Sequence, residues 1–254
     1  VPEDERTSRA VDVTDGPVDR TRSRAWLDVL EAGDITVEGR MPWSSNATLL
    51  VTVELAGCTT KAIYKPVAGE QPLWDFPDGL YRREVAAYEL SVACGFDVVP
   101  ETVLRAEAPY GVGSLQRFVD ADFSQHYFTL IEDATCGAGL RLVAGFDLLA
   151  NNADRKGGHV LVDGERHIWG IDNGLCFHPA PKLRTVMWDF AGEELPATVL
   201  EACAAVEGHV PERLELLLAQ EELDGLVRRA AALLETGAFP EPDLDGRPYP
   251  WPLV

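Results

Sequence analysis

The apolar positions of the chain change rhythm near its middle. β-Branched runs at residues 35–37, 48–55 and 61–67 are separated by the loop GRMPWSSNA and by Ala56-Gly57-Cys58-Thr59-Thr60. That pattern predicts an antiparallel meander of short strands. A helix over 25–32 (AWLDVLEA) precedes it, and residues 69–80, which contain Pro and Gly, predict a loop. Helical spacing follows over 81–95, then two more strands at 98–104 and 114–119, the first irregular or at an edge because it carries Pro100. Beyond Asp120 the spacing turns mostly helical, with helices predicted over 138–149, 197–206 and 211–234. Between the first two lies a polar segment, NNADRKGG, and a hairpin of strands at 159–162 and 167–171 joined across Asp163-Gly164. The proline-rich stretch PEPDLDGRPYPWPLV cannot continue a helix and is expected to wrap the surface. The fold class predicted is α+β, with a β-rich first lobe (25–117), a mainly helical second lobe (118–254) and a cleft between them. Residues 1–24, polar and without apolar periodicity, predict a flexible tail.

Charge narrows the set of partners. The chain of 254 residues carries 42 acidic and 22 basic side chains, a net charge of -20. Such a surface repels nucleic-acid phosphates and anionic headgroups over a Debye length of ~8 Å at physiological salt. No Lys/Arg cluster beyond short pairs offsets it, so neither nucleic acid nor stable membrane association is expected. No apolar run approaches the ~20 residues that span a bilayer, and the opening residues lack the apolar core of a secretory signal. The five cysteines, Cys58, Cys94, Cys136, Cys176 and Cys203, form no CxxC or zinc spacing. Free thiols in the cytoplasm are the expectation.

Two polar islands interrupt the apolar pattern of the second lobe. Asp154 lies in Asn151-Asn152-Ala153-Asp154-Arg155-Lys156-Gly157-Gly158-His159, between an apolar helix and an apolar strand, so its polar groups should emerge at one end of the core. Asp172 lies thirteen residues beyond His159, in Ile171-Asp172-Asn173-Gly174. A carboxylate ending a buried strand and followed closely by Gly can reach into a cleft as a metal ligand. Each segment read alone is equally a plain turn; the pair flanking one hairpin points to chemistry. Phosphoryl transfer needs a phosphate grip, a divalent metal and a group that orients the acceptor hydroxyl, and the order of elements matches the two lobes of a kinase.

In these segments the chain resembles the phosphoinositide 3-/4-kinases and the HipA-type bacterial kinases, which carry an Asp-Arg-His-x-x-Asn loop followed by an Asp-x-Gly turn. It resembles more closely a group of actinobacterial proteins described as phosphatidylinositol 3-/4-kinase-like. That likeness runs through NNADRKGGH, GIDNGLCFH, KLRTVMW and the loop EQPLWDFPDG, and covers most of residues 40–195. The resemblance implies a two-lobed kinase-like fold in which Asp154 orients or deprotonates the acceptor and Asp172 binds the metal bridging the phosphates. His159 stands where those relatives have Asn as second metal ligand, and an imidazole suits Mn²⁺ or another transition ion better than Mg²⁺. Lys156 replaces their usual His and is placed to contact the transferring phosphate or to project into solvent. His178, Lys182 and Arg184 fall where the relatives bind their acceptor, and would hold a phosphate or carboxylate or form a solvated basic patch.

The first lobe supplies the nucleotide side. Lys65 closes the third strand opposite its apolar neighbours, where kinases hold phosphates, with Glu84 as its expected helical partner and Glu89 as the second choice. Ser44, Ser45 and Asn46, between the first strands, offer hydroxyls, an amide and backbone N–H groups to an anion, though a plain turn accounts for them equally. Gln116, Arg117, Phe118 and Val119 would form the inter-lobe linker whose backbone meets the adenine edge. Trp74, Phe76, Trp188 and Phe190 read as packing residues. The expected activity is ATP-dependent phosphoryl transfer, with Mg²⁺ or Mn²⁺, to a hydroxyl of a small molecule or protein rather than a membrane lipid. The alternative is a pseudokinase that senses nucleotide or acts as a scaffold, which the departure at His159 favours.

Overall fold

The structure is a computed structural model that describes residues 20–42 and 47–254, with side chains from Ser23 onward. Helix α1 (Arg20–Ala32) leads into strands β1 (Asp34–Arg40), β2 (Leu49–Leu55) and β3 (Cys58–Pro66). Helix α2 (Leu80–Ala93), strands β4 (Thr102–Arg105) and β5 (Gly113–Arg117), and helices α3 (Tyr127–Leu130) and α4 (Gly137–Ala150) follow. Strands β6 (Val160–Val162) and β7 (Ile168–Gly170) make a hairpin, and α5 (Ala197–Gly208), α6 (Glu212–Glu215) and α7 (Gln220–Thr236) complete the order. The five-stranded sheet runs β1-β2-β3-β5-β4 with antiparallel neighbours throughout. An α+β architecture is therefore observed, with the antiparallel sheet and helices α1 and α2 first and the remaining helices after them. Among the described residues no helix is long and apolar enough to cross a membrane.

Alternation explains the sheet. Val51 and Val53 of β2, Ala62 and Tyr64 of β3, and Leu115 of β5 are fully buried and close on Val29 and Leu30 of α1. The residues between them take the other face, which is how Lys65 comes to point away from this core. A second, larger core unites α4, α5 and α7 with the hairpin. Helix α2 belongs to it: Ala86, Ala87, Tyr88 and Leu90 pack there, although the helix also touches β4 and β5. It is fixed by a buried ion pair, Arg83 to Glu222 of α7 at 2.5 Å. Its N-terminus is capped by Glu70, which accepts from the N–H groups of Gly79, Leu80 and Tyr81. A helix between β3 and β4 thus carries its side chains from the helical half to the sheet.

Several boundaries differ from the pattern-based expectation. Helix α1 starts at Arg20, so residues 20–24, expected in a flexible tail, are helical; an i,i+4 pair, Arg24–Asp28 at 3.3 Å, lies in this first part. The strand expected over 98–104 is only Thr102–Arg105, because Pro100 has no N–H to donate and Val98 and Val99 turn into the helical core. His159 sits in a 3₁₀ turn ahead of β6 rather than in the strand. The long helix expected over 211–234 is broken at 216–219, where Leu218 folds into the core and Glu222 accepts from the Ala219 N–H at 2.9 Å to start α7. The same carboxylate holds Arg83, so the break places it for both tasks.

Helices α4 and α5 approach closely at Gly145, where an added methyl would overlap Val199. Gly145→Ala gains about 1 kcal/mol in helix propensity, yet overpacking a filled core costs roughly 1–3 kcal/mol. The expected result is a net loss of stability, read as a lower urea midpoint with an unchanged slope.

Candidate functional site

The cleft side of the sheet gathers the charged residues. Lys65 Nζ donates to Glu84 Oε1 of α2, and also to Asp172 Oδ1 at 2.7 Å. Glu84 is buried and its second oxygen accepts from the Asn173 N–H at 3.0 Å. One carboxylate therefore ties β3, α2 and the turn Asp172-Asn173-Gly174 together. Gly174 packs closely here: a Cβ there would lie 3.3 Å from Glu84 Oε1 and 3.4 Å from Leu80. Glu89, the other candidate partner, accepts instead from Arg213 at the surface. Burial pulls the Lys65 pKa down, but the charges of Asp172 and Glu84 outweigh it and hold the ammonium above the ordinary lysine value.

Asp172 adopts a left-handed backbone, φ 58°, a conformation that Asp tolerates better than most residues and that is retained where the surroundings fix it. Its side chain remains 48% exposed, open to the cleft. The Lys65 charge holds its carboxyl far below the usual carboxylate range. Its Oδ2 lies 3.3 Å from His159 Nε2. Nδ1 of the same ring lies 3.0 Å from the Asp154 carbonyl. Burial lowers the His159 pKa to about 4, so the ring is neutral near pH 7; its proton then sits on Nδ1, donated to that carbonyl, and the Nε2 lone pair faces Asp172.

This donor pair fits a divalent cation. A metal-binding imidazole characteristically donates its other N–H to a carbonyl or carboxylate, and His159 is arranged that way. Among the described residues no group of three or more His, Cys, Asp or Glu side chains gathers around one point. The protein thus offers two donors, and an ion held there would draw its remaining ligands from water and phosphate oxygens, as phosphate-bridging Mg²⁺ sites do.

Asp154 lies close enough to Asp172 for that charge to act on its carboxyl. Its carboxylate accepts from Lys156 Nζ at 2.7 Å, and both side chains are about one-fifth exposed, 23% and 20%. Burial raises the Asp154 pKa, with Lys156 opposing it. Lys156 is thus paired with Asp154 and does not project freely into solvent.

No family model matches the chain. It is 40% identical over 263 aligned residues to Protein Rv2133c of Mycobacterium tuberculosis, the match covering 88% of this chain and 94% of that protein. The chain belongs to the family of Rv2133c. Among solved structures, the Helicobacter pylori proinflammatory kinase CtkA is similar with a TM-score of 0.49 and 13% identity, over 82% of this chain and 94% of that one.

The remaining residues singled out in the sequence divide. Ser44, Ser45 and Asn46 lie outside the described residues. Gln116 and Arg117 close β5, and their side chains are committed elsewhere: Gln116 donates to Thr102 Oγ1 at 2.9 Å and Arg117 pairs with Glu101. Phe118 and Val119 begin the connection to the helical half, and the Phe118 N–H is engaged by the Lys61 carbonyl. Lys182 and Arg184 are not a free basic patch, since Asp75 accepts from Lys182 at 2.9 Å and lies 3.8 Å from Arg184. His178 stacks obliquely on Phe76, with ring centroids 5.2 Å apart. Of the aromatic residues expected to pack, Phe76 and Phe190 are buried, whereas Trp74 is 95% exposed on the loop that carries Asp75.

Residues the sequence did not single out support the whole arrangement. Arg155 is fully buried and grips Asp147 of α4 through two bonds of 2.8 Å. It also donates to the Ile171 carbonyl at 2.5 Å and to Asn173 Oδ1 at 2.7 Å. The Asp154 loop and the Asp172 turn are thereby fastened to one guanidinium. A signal existed in the sequence: Asp147 is the one carboxylate in the apolar helix GAGLRLVAGFDLLA, and a buried carboxylate demands a partner.

Proposed function

We propose that the chain is an ATP-dependent phosphotransferase that moves a phosphoryl group to a hydroxyl acceptor. The observation that carries this reading is the convergence of Lys65, Asp172 and His159, with Glu84 behind them and Asp154 close to Asp172. Phosphoryl transfer depends on positioning and charge stabilisation more than on covalent chemistry by the protein, and these residues divide such work. Lys65, pre-charged and held by Glu84, would bind phosphate oxygens. Asp172 and His159 would hold a divalent ion, which supplies charge neutralisation to the phosphates when bound. Asp154 would accept a hydrogen bond from the acceptor hydroxyl and fix its direction, with Lys156 limiting the charge that builds up there. The net charge of -20 supports a small-molecule or protein acceptor over an anionic lipid, so the phosphoinositide likeness is taken to extend to the phosphate-handling residues and not to the substrate.

The test is calorimetric titration of ATP into metal-free protein, repeated with Mg²⁺ and with Mn²⁺. Metal-dependent binding is expected, with Mn²⁺ preferred because one donor is an imidazole. No binding by folded protein with either ion would remove the reading. A second reading, nucleotide binding without transfer, is favoured by one observation, the placement of His159 beside Asp172. Asp154→Asn separates the two. In a transferase it retains nucleotide affinity and loses transfer by about 10²–10⁴-fold, followed as radiolabel released from or transferred out of ATP. A wild type with affinity but no turnover under either metal would establish the second.

A further inference from the structure

The segment after α7 does not simply coat the surface. The Pro248 carbonyl accepts from the Thr185 N–H at 2.9 Å and from Trp188 Nε1 at 3.1 Å, and the Leu253 carbonyl accepts from the Gly157 N–H at 2.7 Å. Gly157 and Gly158 belong to the loop of Asp154. Residues 184–186 are the segment that pairs with Arg155, through Arg155 N–H to the Arg184 carbonyl and Val186 N–H to the Arg155 carbonyl. Residues 248–253 therefore bridge both sides of the loop that bears Asp154. Gly157 is buried beneath them: a Cβ there would lie 3.3 Å from the Leu253 carbonyl and 3.1 Å from the Phe128 ring. At Gly158 the nearest atom to such a Cβ is Val254 Cγ1, at 3.8 Å.

The chemistry of this contact is one-sided. The face contributes three donors, two backbone N–H groups and an indole N–H, and the segment contributes carbonyls. That division suits a proline-rich ligand, which keeps its carbonyls and loses N–H groups; Pro248, Pro250 and Pro252 alternate along GRPYPWPLV. The segment is also lightly held. Tyr249, Trp251, Leu253 and Val254 are all exposed, Trp251 at 87%, and Pro250 is the one residue of 248–254 that is buried. Segments with few buried apolar contacts open first.

We propose that this face is a binding groove for a proline-rich polypeptide, occupied in cis by residues 248–254, which strap the acceptor side of Asp154 until they are displaced. The naming of an acceptor side rests on the phosphotransferase reading, but the groove and its occupant do not. The test is amide hydrogen exchange on the intact chain, without nucleotide, in wild type and in Trp188→Phe, which keeps a ring and removes one donor. The Gly157 and Thr185 amides are expected to exchange by local opening, roughly a hundredfold or more faster than the central amides of α4. Trp188→Phe should accelerate both by about tenfold, the worth of one hydrogen bond, with α4 unchanged. A synthetic peptide of residues 246–254, added in excess to the variant, should slow the Gly157 amide again. Exchange of Gly157 in step with α4 would show a structural segment that opens only on global unfolding. Failure of the peptide to protect Gly157 would show that the face is no polypeptide groove. Either result overturns the proposal, and neither touches ATP binding, which calorimetry reads separately.

Discussion

Asp172→Asn is expected to abolish metal-dependent nucleotide binding while the protein stays folded. The substitution removes the charge and keeps the shape. Asparagine tolerates the left-handed backbone at φ 58°, whereas alanine there would add strain of about 1–2 kcal/mol and confuse the reading. The amide that replaces the carboxylate would be a neutral and weaker donor, leaving His159 Nε2 as the other donor of the proposed ion site. Even outer partners of metal ligands are worth about 10–100-fold in affinity, so loss of the charge on a direct ligand should reach at least about a hundredfold for Mn²⁺–ATP. The fold has reasons to survive. Lys65 keeps Glu84 as its partner, the Asp172 carboxylate is half in solvent, and the turn is held through Asn173 by Arg155 and Glu84. Calorimetry with both metals, beside a circular-dichroism melt, checks both halves of the statement. Undiminished Mn²⁺–ATP affinity in the folded variant would remove Asp172 from the metal site.

The parts of the site that sequence reading located are those whose signal is local. Alternation along Ala62-Ile63-Tyr64-Lys65 puts Lys65 on the face away from the core, and the helix that follows offers Glu84 one turn from its start. Asp154 and Asp172 stand out because each interrupts an apolar run. What stayed hidden depends on elements distant in the chain. Lys182 and Arg184 read as an acceptor-binding pair or a solvated basic patch, and the sequence carries no sign of Asp75, 107 residues before Lys182, which lies against them. The break between α6 and α7 arises because Glu222 serves Arg83 of α2, 139 positions away. No periodicity encodes such an encounter. The proline-rich stretch was legible as irregular, since prolines forbid a helix, but its destination beside Gly157 is set by two carbonyls, those of Pro248 and Leu253, which every sequence possesses.

Arg155 carries the largest expected cost in stability. Its guanidinium is fully buried, and its bonds go to Asp147, to Asn173 Oδ1 and to the carbonyls of Ile171 and His159. The Asp147 charge offsets the burial of Arg155 and holds its pKa above the ordinary value. Arg155→Met should destabilise the protein by about 3–5 kcal/mol, because it leaves the Asp147 charge buried without a counter-charge, with only the Asn152 amide donating to it. The double variant Arg155→Met/Asp147→Leu separates two causes. Replacing a buried ion pair by apolar side chains of similar size is often neutral, so a pair that mattered only for its own charges would be fully rescued. The Ile171 carbonyl and the Asn173 amide oxygen would still lack their donor, at about 1–3 kcal/mol for each group left unsatisfied. Partial rescue is therefore expected, by about half in urea unfolding, with nucleotide affinity remaining well below wild type. Complete recovery of both would mean that Arg155 neutralises Asp147 and nothing more, and that the Asp154 loop and the Asp172 turn keep their spacing without it.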